Sequence, residues 1–137
     1  MLRIVVDART VTDQKSGIGN TLDALIRHMV PLAEDMRFVL LRKRGARRPI
    51  IRHERVEERE FPGETKSPRT LALDWPRGFR DADLYHSPAD VVPLGLRCPL
   101  VVTLHDLMWV EAPRLASAFW PVRIGNGIWY RATIGYS

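Results

Sequence analysis

Near its N-terminus the chain sets two short apolar runs on either side of a segment with helical periodicity, and that order leaves few folds open. Leu2 to Val6 is rich in β-branched residues and ends at Asp7. An unbroken run of this kind predicts a strand buried on both faces, as in a parallel sheet. A polar loop, Thr10 to Gly19, follows. Leu22, Leu25, Ile26, Met29 and Leu32 or Ala33 then recur at the three-and-four spacing of one buried helical face. Asn20 is placed to cap that helix, with Asp23 in its first turn near the positive end of the helix dipole. Arg37 to Leu41 reads as a second strand. The sequence therefore predicts a βαβ unit with a right-handed crossover.

The alternation continues with weaker signals. Ile50, Ile51 and Val56 suggest an edge strand interrupted by charges, and Phe61-Pro62-Gly63 through Pro68 reads as a loop. Leu71, Leu73, Trp75 and Phe79 suggest a helical stretch, with Pro76 near an end or at a kink. Asp83 to His86 is a short strand, and Leu100 to Leu104 is the best strand of the second half, introduced by Pro99. From Ser117 onward Phe119, Trp120, Ile124, Ile128, Trp129 and Ile134 fit a long helix, with Pro121 in its first turn. The pattern predicts an α/β fold: a Rossmann-like, open, mostly parallel sheet with helices on both faces. No strand follows the last helix, so the domain is expected to be truncated at its C-terminal end.

Composition narrows the function classes. The 137 residues suit one domain, and 45% apolar with 27% charged residues is the balance of a globular protein. Cys98 is the only cysteine, which excludes an internal disulfide and a cysteine-rich zinc site and points to a reducing, cytoplasmic setting. The opening Met1 to Asp7 turns polar too quickly for a signal peptide, and no window has the roughly 18 apolar residues of a membrane span. Lysine and arginine outnumber acids by 21 to 16. The excess is concentrated in Arg42, Lys43, Arg44, Arg47, Arg48 and Arg52, which reads as a solvated loop or as a surface for anionic lipid at the inner face of the membrane. Glu54, Glu57, Glu58 and Glu60 follow closely and argue against a nucleic-acid surface.

In open α/β sheets ligands bind beyond the C-terminal ends of the strands, where strand order reverses. Three segments fall at such ends: the loop after Asp7, the Tyr85-His86-Ser87-Pro88 turn, and His105-Asp106. Within Ser16-Gly17-Ile18-Gly19-Asn20 the glycines let backbone approach a diphosphate, and the free amides of a helix start face the anion. The same glycines also suit a tight turn. A dinucleotide fingerprint would need a third glycine where Leu22 stands, and its glycines would follow the strand directly, so an oxidoreductase domain is the weaker alternative even with Arg42-Lys43-Arg44 placed for a 2′-phosphate. A histidine such as His105 can hydrogen-bond a sugar hydroxyl or steady a phosphate near neutral pH. His86 shares that placement. No metal-ligand spacing, Walker lysine or nucleophile elbow is present.

Together, Ile4-Val-Val-Asp-Ala-Arg9 leading to Ser16-Gly-Ile-Gly-Asn20, then Asp83-Leu-Tyr-His-Ser-Pro88, Val92-Pro-Leu94 and Pro99-Leu-Val-Val-Thr-Leu-His-Asp106 resemble the opening domain of family 4 (group 1) retaining glycosyltransferases of the GT-B fold. The resemblance implies transfer of a sugar from a nucleotide-sugar donor, with retention and with neither metal nor cofactor. It implies a catalytic-site position for His105 and substrate-binding positions for Gly17, Gly19, Asn20, His86 and Asp106. It also implies that residues 1–137 are the N-terminal domain, the half that holds a sugar or lipid-linked acceptor, with peripheral membrane contact as one way to reach it.

Enzymes of that family carry a second domain that binds the nucleotide and supplies two glutamates eight positions apart. No two glutamates here have that separation. The resemblance thus implies a hexosyltransferase-type domain that is inactive alone and needs a donor-binding domain or partner chain. The alternatives are a subunit of a split transferase and a non-catalytic module that binds a glycan or a membrane surface.

Overall fold

Alternating pleat parity of the first strand, β1 (Leu2–Asp7), divides the core in two. Ile4, Val6 and Ala8 face one side of the sheet, where they meet Leu22, Ile26 and Val30 of helix α1 (Gly17–Leu32). Val5 faces the other side and packs with Val39, Leu41, Phe61 and Tyr85. Strands β2 (Met36–Lys43), β3 (Val56–Phe61), β4 (Leu84–Ser87) and β5 (Leu100–Val102) complete one sheet. The computed structural model from which these elements are drawn describes residues 1–14, 16–61, 81–89, 93 and 96–116, with positions 121, 124, 125, 128 and 131 in addition.

The sheet is parallel throughout, in the order β3-β2-β1-β4-β5. The chain steps outward from β1 through β2 to β3, then returns to the other side of β1 for β4 and β5. Strand order therefore reverses between β1 and β4. This is an open α/β fold of the Rossmann-like kind, as the alternation of runs predicts. Of the loop expected from Phe61 to Pro68, Phe61 belongs instead to β3, and the rest lies outside the described residues, as does the Leu71–Phe79 stretch.

Helix α1 differs from its sequence reading in three respects. It starts at Gly17 and not after Asn20, because the Ser16 hydroxyl accepts a hydrogen bond from the Gly19 N–H at 3.0 Å and so caps the helix four residues earlier. The early start moves Asp23 out of the first turn, and it pairs instead with Arg27 one turn on, at 3.0 Å. The buried stripe is Gly19, Leu22, Ile26 and Val30, whereas Leu25 and Leu32 are 42% and 82% exposed. The helix packs along its i+4 ridge, which carries Val30 inward and leaves Leu25 at the margin.

Two further expectations are corrected. The edge strand runs from Val56 to Phe61 and excludes Ile50 and Ile51. Ile50 is nevertheless buried in the α1-side core, brought there by the loop before β3. Leu100 to Leu104 shortens to three residues in β5, although the Thr103 N–H still donates to the Ser87 carbonyl at 2.9 Å. Two short helical turns follow, α2 (Met108–Glu111) and α3 (Pro113–Ala116). Of the long helix expected from Ser117 onward, Pro121, Ile124, Gly125, Ile128 and Arg131 are helical, and the rest lies outside the described residues.

Candidate functional site

The register of the sheet decides which strand ends lie together. Val6 pairs with His86, and Ser87 pairs with Val102. The segments leaving β1, β4 and β5 therefore emerge side by side at the point where strand order reverses, the usual place for a ligand in this class of sheet.

Side-chain bonds tie two of these segments together. His105 donates from Nε2 to the main-chain carbonyl of Pro88 at 2.7 Å. A carbonyl can only accept, so this bond places a proton on Nε2. The ring is anchored although the residue is exposed. His86, on the same face as Val6, shares a hydrogen bond of 2.9 Å with Thr103 Oγ1. It is half-buried, and burial lowers its pKa from the usual imidazole value. Removal of water disfavours the charged ring, so His86 is neutral where an exposed histidine is still titrating.

Asp106 is exposed, and its Oδ1 accepts from the Met108 N–H at 3.0 Å, which shapes the turn into α2. Its neighbour His105 is thereby held at the strand end while Asp106 is engaged in the turn.

The glycine segment proves to be two different positions. At Gly19 a Cβ would lie 2.5 Å from the Thr10 carbonyl oxygen and 2.8 Å from Ser16 Oγ, so this glycine serves packing of the helix start against its own incoming loop. At Gly17 nothing lies within 4 Å of the same point. Gly17 leaves open space for a ligand to approach the helix start. Gly19 and Asn20 line a hollow with Thr12 and Gln14. Leu22, at the place of the third glycine of a dinucleotide fingerprint, is 2% exposed and packs into the core.

Beneath this edge lies a buried polar group that the periodicity did not mark. Arg9 and Asp7 are 3% and 2% exposed and are paired, with Arg9 Nε donating to Asp7 Oδ1 at 2.8 Å. Tyr85 donates its hydroxyl to Asp7 Oδ2 at 3.3 Å, and the Arg9 guanidinium lies 4.8 Å from the centre of the Phe61 ring. Burial, followed by the negative charge of Asp7, raises the Tyr85 pKa well above its ordinary value. These residues join the ends of β1, β3 and β4 from below and give the edge a rigid floor. The signal for them was the alternation Asp7-Ala8-Arg9, which puts both charges on one side of an extended chain.

The basic run is likewise not uniform. Arg42 is 6% exposed and not a solvated residue. Its Nη1 donates to Glu58 Oε2 at 2.6 Å and its Nη2 to the Arg48 carbonyl at 3.1 Å. Lys43, Arg44, Arg47, Arg48 and Arg52 are exposed.

Fold and register together define an open, parallel α/β domain with His86 and His105 on the segments beside its strand-order switch. Comparison with protein-family models, with curated proteins and with solved structures finds no match. Among the described residues no group of three His, Cys, Asp or Glu side chains can hold a metal ion, and no helix is long and apolar enough to cross a membrane.

Proposed function

We propose that this domain is the acceptor-side half of a retaining hexosyltransferase that takes its sugar from a nucleotide-sugar donor. One observation carries the reading: the switch-point edge holds two histidines fixed by different partners, His105 on the Pro88 carbonyl and His86 on Thr103. Histidines near a strand-order switch suit sugar hydroxyls or the oxygens of a leaving diphosphate. The open backbone at Gly17 is the third element, able to let a diphosphate approach the helix start. The motifs that resemble family 4 glycosyltransferases fall on these same segments.

In this reading His105 contacts the reacting sugar, while Gly17, Gly19, Asn20, His86 and Asp106 form or shape the acceptor and diphosphate surfaces. A donor-binding domain, on the same chain or a partner, supplies the nucleotide site. The test is transfer by the protein captured from its source cells with whatever it is joined to. UDP-, GDP- and ADP-hexoses, each radiolabelled, are offered with an extract of cellular acceptors, and the anomeric configuration of the product is read by NMR. Label should move from one donor with retention. No transfer from any donor, or a product of inverted configuration, refutes the proposal.

A further inference from the structure

The α1 face of the sheet carries a second place built for a ligand, beyond the C-terminal end of β2. Two hollows of about 270 and 370 Å³ lie against the Val11–Gln14 loop, and both have Arg42 in their walls. Their remaining cations include Arg48 in the first and Arg44 in the second. Their acids are Asp13, in both, and Asp23, in the first.

Arg42 makes this more than a basic loop. It is more than nine-tenths buried, and its Nε has no hydrogen-bond partner. A buried N–H without an acceptor is unfavourable and rare, more so on a charged group. Glu58 does not relieve it, because Oε2 takes Arg42 Nη1 while Oε1 takes the Ile50 N–H at 2.6 Å. The nearby charges do not relieve it either. Asp23 is paired with Arg27, and Glu58 is already used, so Arg44 and Arg48 face Asp13 with positive charge in excess. Thr12, Gln14 and Asn20 add neutral polar groups to the first hollow.

We infer that these joined hollows bind a phosphate group, with Arg42 at the base and Arg44 and Arg48 at the rim. Arginine suits this ligand because its planar fork gives paired, charge-assisted hydrogen bonds to phosphate oxygens. The phosphate belongs either to a soluble ester or to an anionic lipid headgroup. Gly19 and Asn20 also line the first hollow, so this site adjoins the surface proposed for sugar transfer, and its binding is measured without any nucleotide sugar.

The experiment uses two charge-matched double variants. Arg44→Glu with Arg48→Glu reverses the rim, and Arg47→Glu with Arg52→Glu makes the same change in net charge at exposed residues outside both hollows. Circular dichroism melts check that each is folded. Inorganic pyrophosphate is titrated calorimetrically, and phosphatidylcholine vesicles with and without phosphatidic acid are tested by co-sedimentation. The unaltered chain should bind pyrophosphate, phosphatidic acid vesicles or both, and reversal of the rim should weaken that binding about tenfold or more. The control pair should change it less than about twofold. Binding of pyrophosphate identifies a soluble ester site, and binding of vesicles alone a headgroup site. Absence of binding to both probes, or equal loss in the two double variants, overturns the inference.

Discussion

The Thr10 carbonyl oxygen stands where a side chain at Gly19 would have to go, 2.5 Å from the position of a Cβ. Neither partner can yield easily. One is backbone held by the loop, and the other belongs to a helix turn fixed by the Ser16 cap. Overpacking at such a place costs about 1–3 kcal/mol. Gly19→Ala should therefore lower the urea midpoint by that equivalent.

Gly17→Ala should do the opposite. The position is in the first turn of a helix, with open space around it, and alanine gains about 0.5–1 kcal/mol over glycine in a helix. A stability gain with reduced sugar transfer would show that the open backbone at Gly17 serves a ligand. A gain with unchanged transfer would remove Gly17 from the site.

This division shows how far a glycine pattern can be read. The sequence placed both glycines between a strand and a helix, and they are there. It could not separate them, since one answers to Thr10 and the other to open space, and both facts depend on how the loop returns. Strand-forming runs were easier. β1 and β2 each hold an unbroken buried run, Ile4 to Asp7 and Phe38 to Arg42, so apolar runs marked them, and β4 emerged within one residue of its reading. β3 reads Val-Glu-Glu-Arg-Glu-Phe and pairs on one side only, so its charges obscured it. The α1 start was misplaced because a serine four residues before Asn20 caps equally well. Of the candidate edge, the place of His105 after an apolar run was legible, whereas His86, read also as part of a turn, lies inside β4. Their partners, Pro88 and Thr103, were not, because hydrogen bonds across a sheet edge leave no periodicity in the chain. Arg42 was hidden inside a run of cations that looked alike until Glu58 distinguished one of them.

The Arg42–Glu58 pair gives a further prediction. Side-chain exposures of 7% and 20% put it largely out of water, and losing one partner of such a pair costs about 3–5 kcal/mol in typical cases. Glu58→Ala should be the worse of the two single changes, since it also removes the acceptor of the Ile50 N–H. Amide hydrogen exchange separates them. Ile50 should lose protection in Glu58→Ala and keep most of it in Arg42→Met.

Buried Tyr85 and half-buried His86 set opposite ends of the pH range. Tyr85 has its folded pKa raised above the ordinary 10.0, so the folded state holds the proton longer than the unfolded state. Its contribution is present below pH 10 and is lost as pH rises beyond it. His86 has its folded pKa lowered from 6.5, so the unfolded state takes up the proton first. Its contribution is present above pH 6.5 and is lost as pH falls. Chemical denaturation across pH should show an alkaline decline that is shallower in Tyr85→Phe and an acid decline that is shallower in His86→Gln. Unchanged slopes in both variants would mean that neither group governs them.

His105 offers the sharpest separation of structure from chemistry. Its side chain is exposed, and it hydrogen-bonds to the Pro88 carbonyl. Loss of that bond on truncation to alanine should cost about 0.5–1.5 kcal/mol, the range for an ordinary hydrogen bond. If His105 contacts the reacting sugar or the leaving diphosphate, the same change should lower kcat of the captured transferase about a hundredfold or more, with a smaller effect on KM. A variant that folds normally and transfers at the original rate would place the chemistry elsewhere on the edge. His86 would then be the next histidine to test. A loss confined to KM would keep His105 in the site as a binding group, since an interaction equal in ground and transition states changes affinity without changing the chemical step.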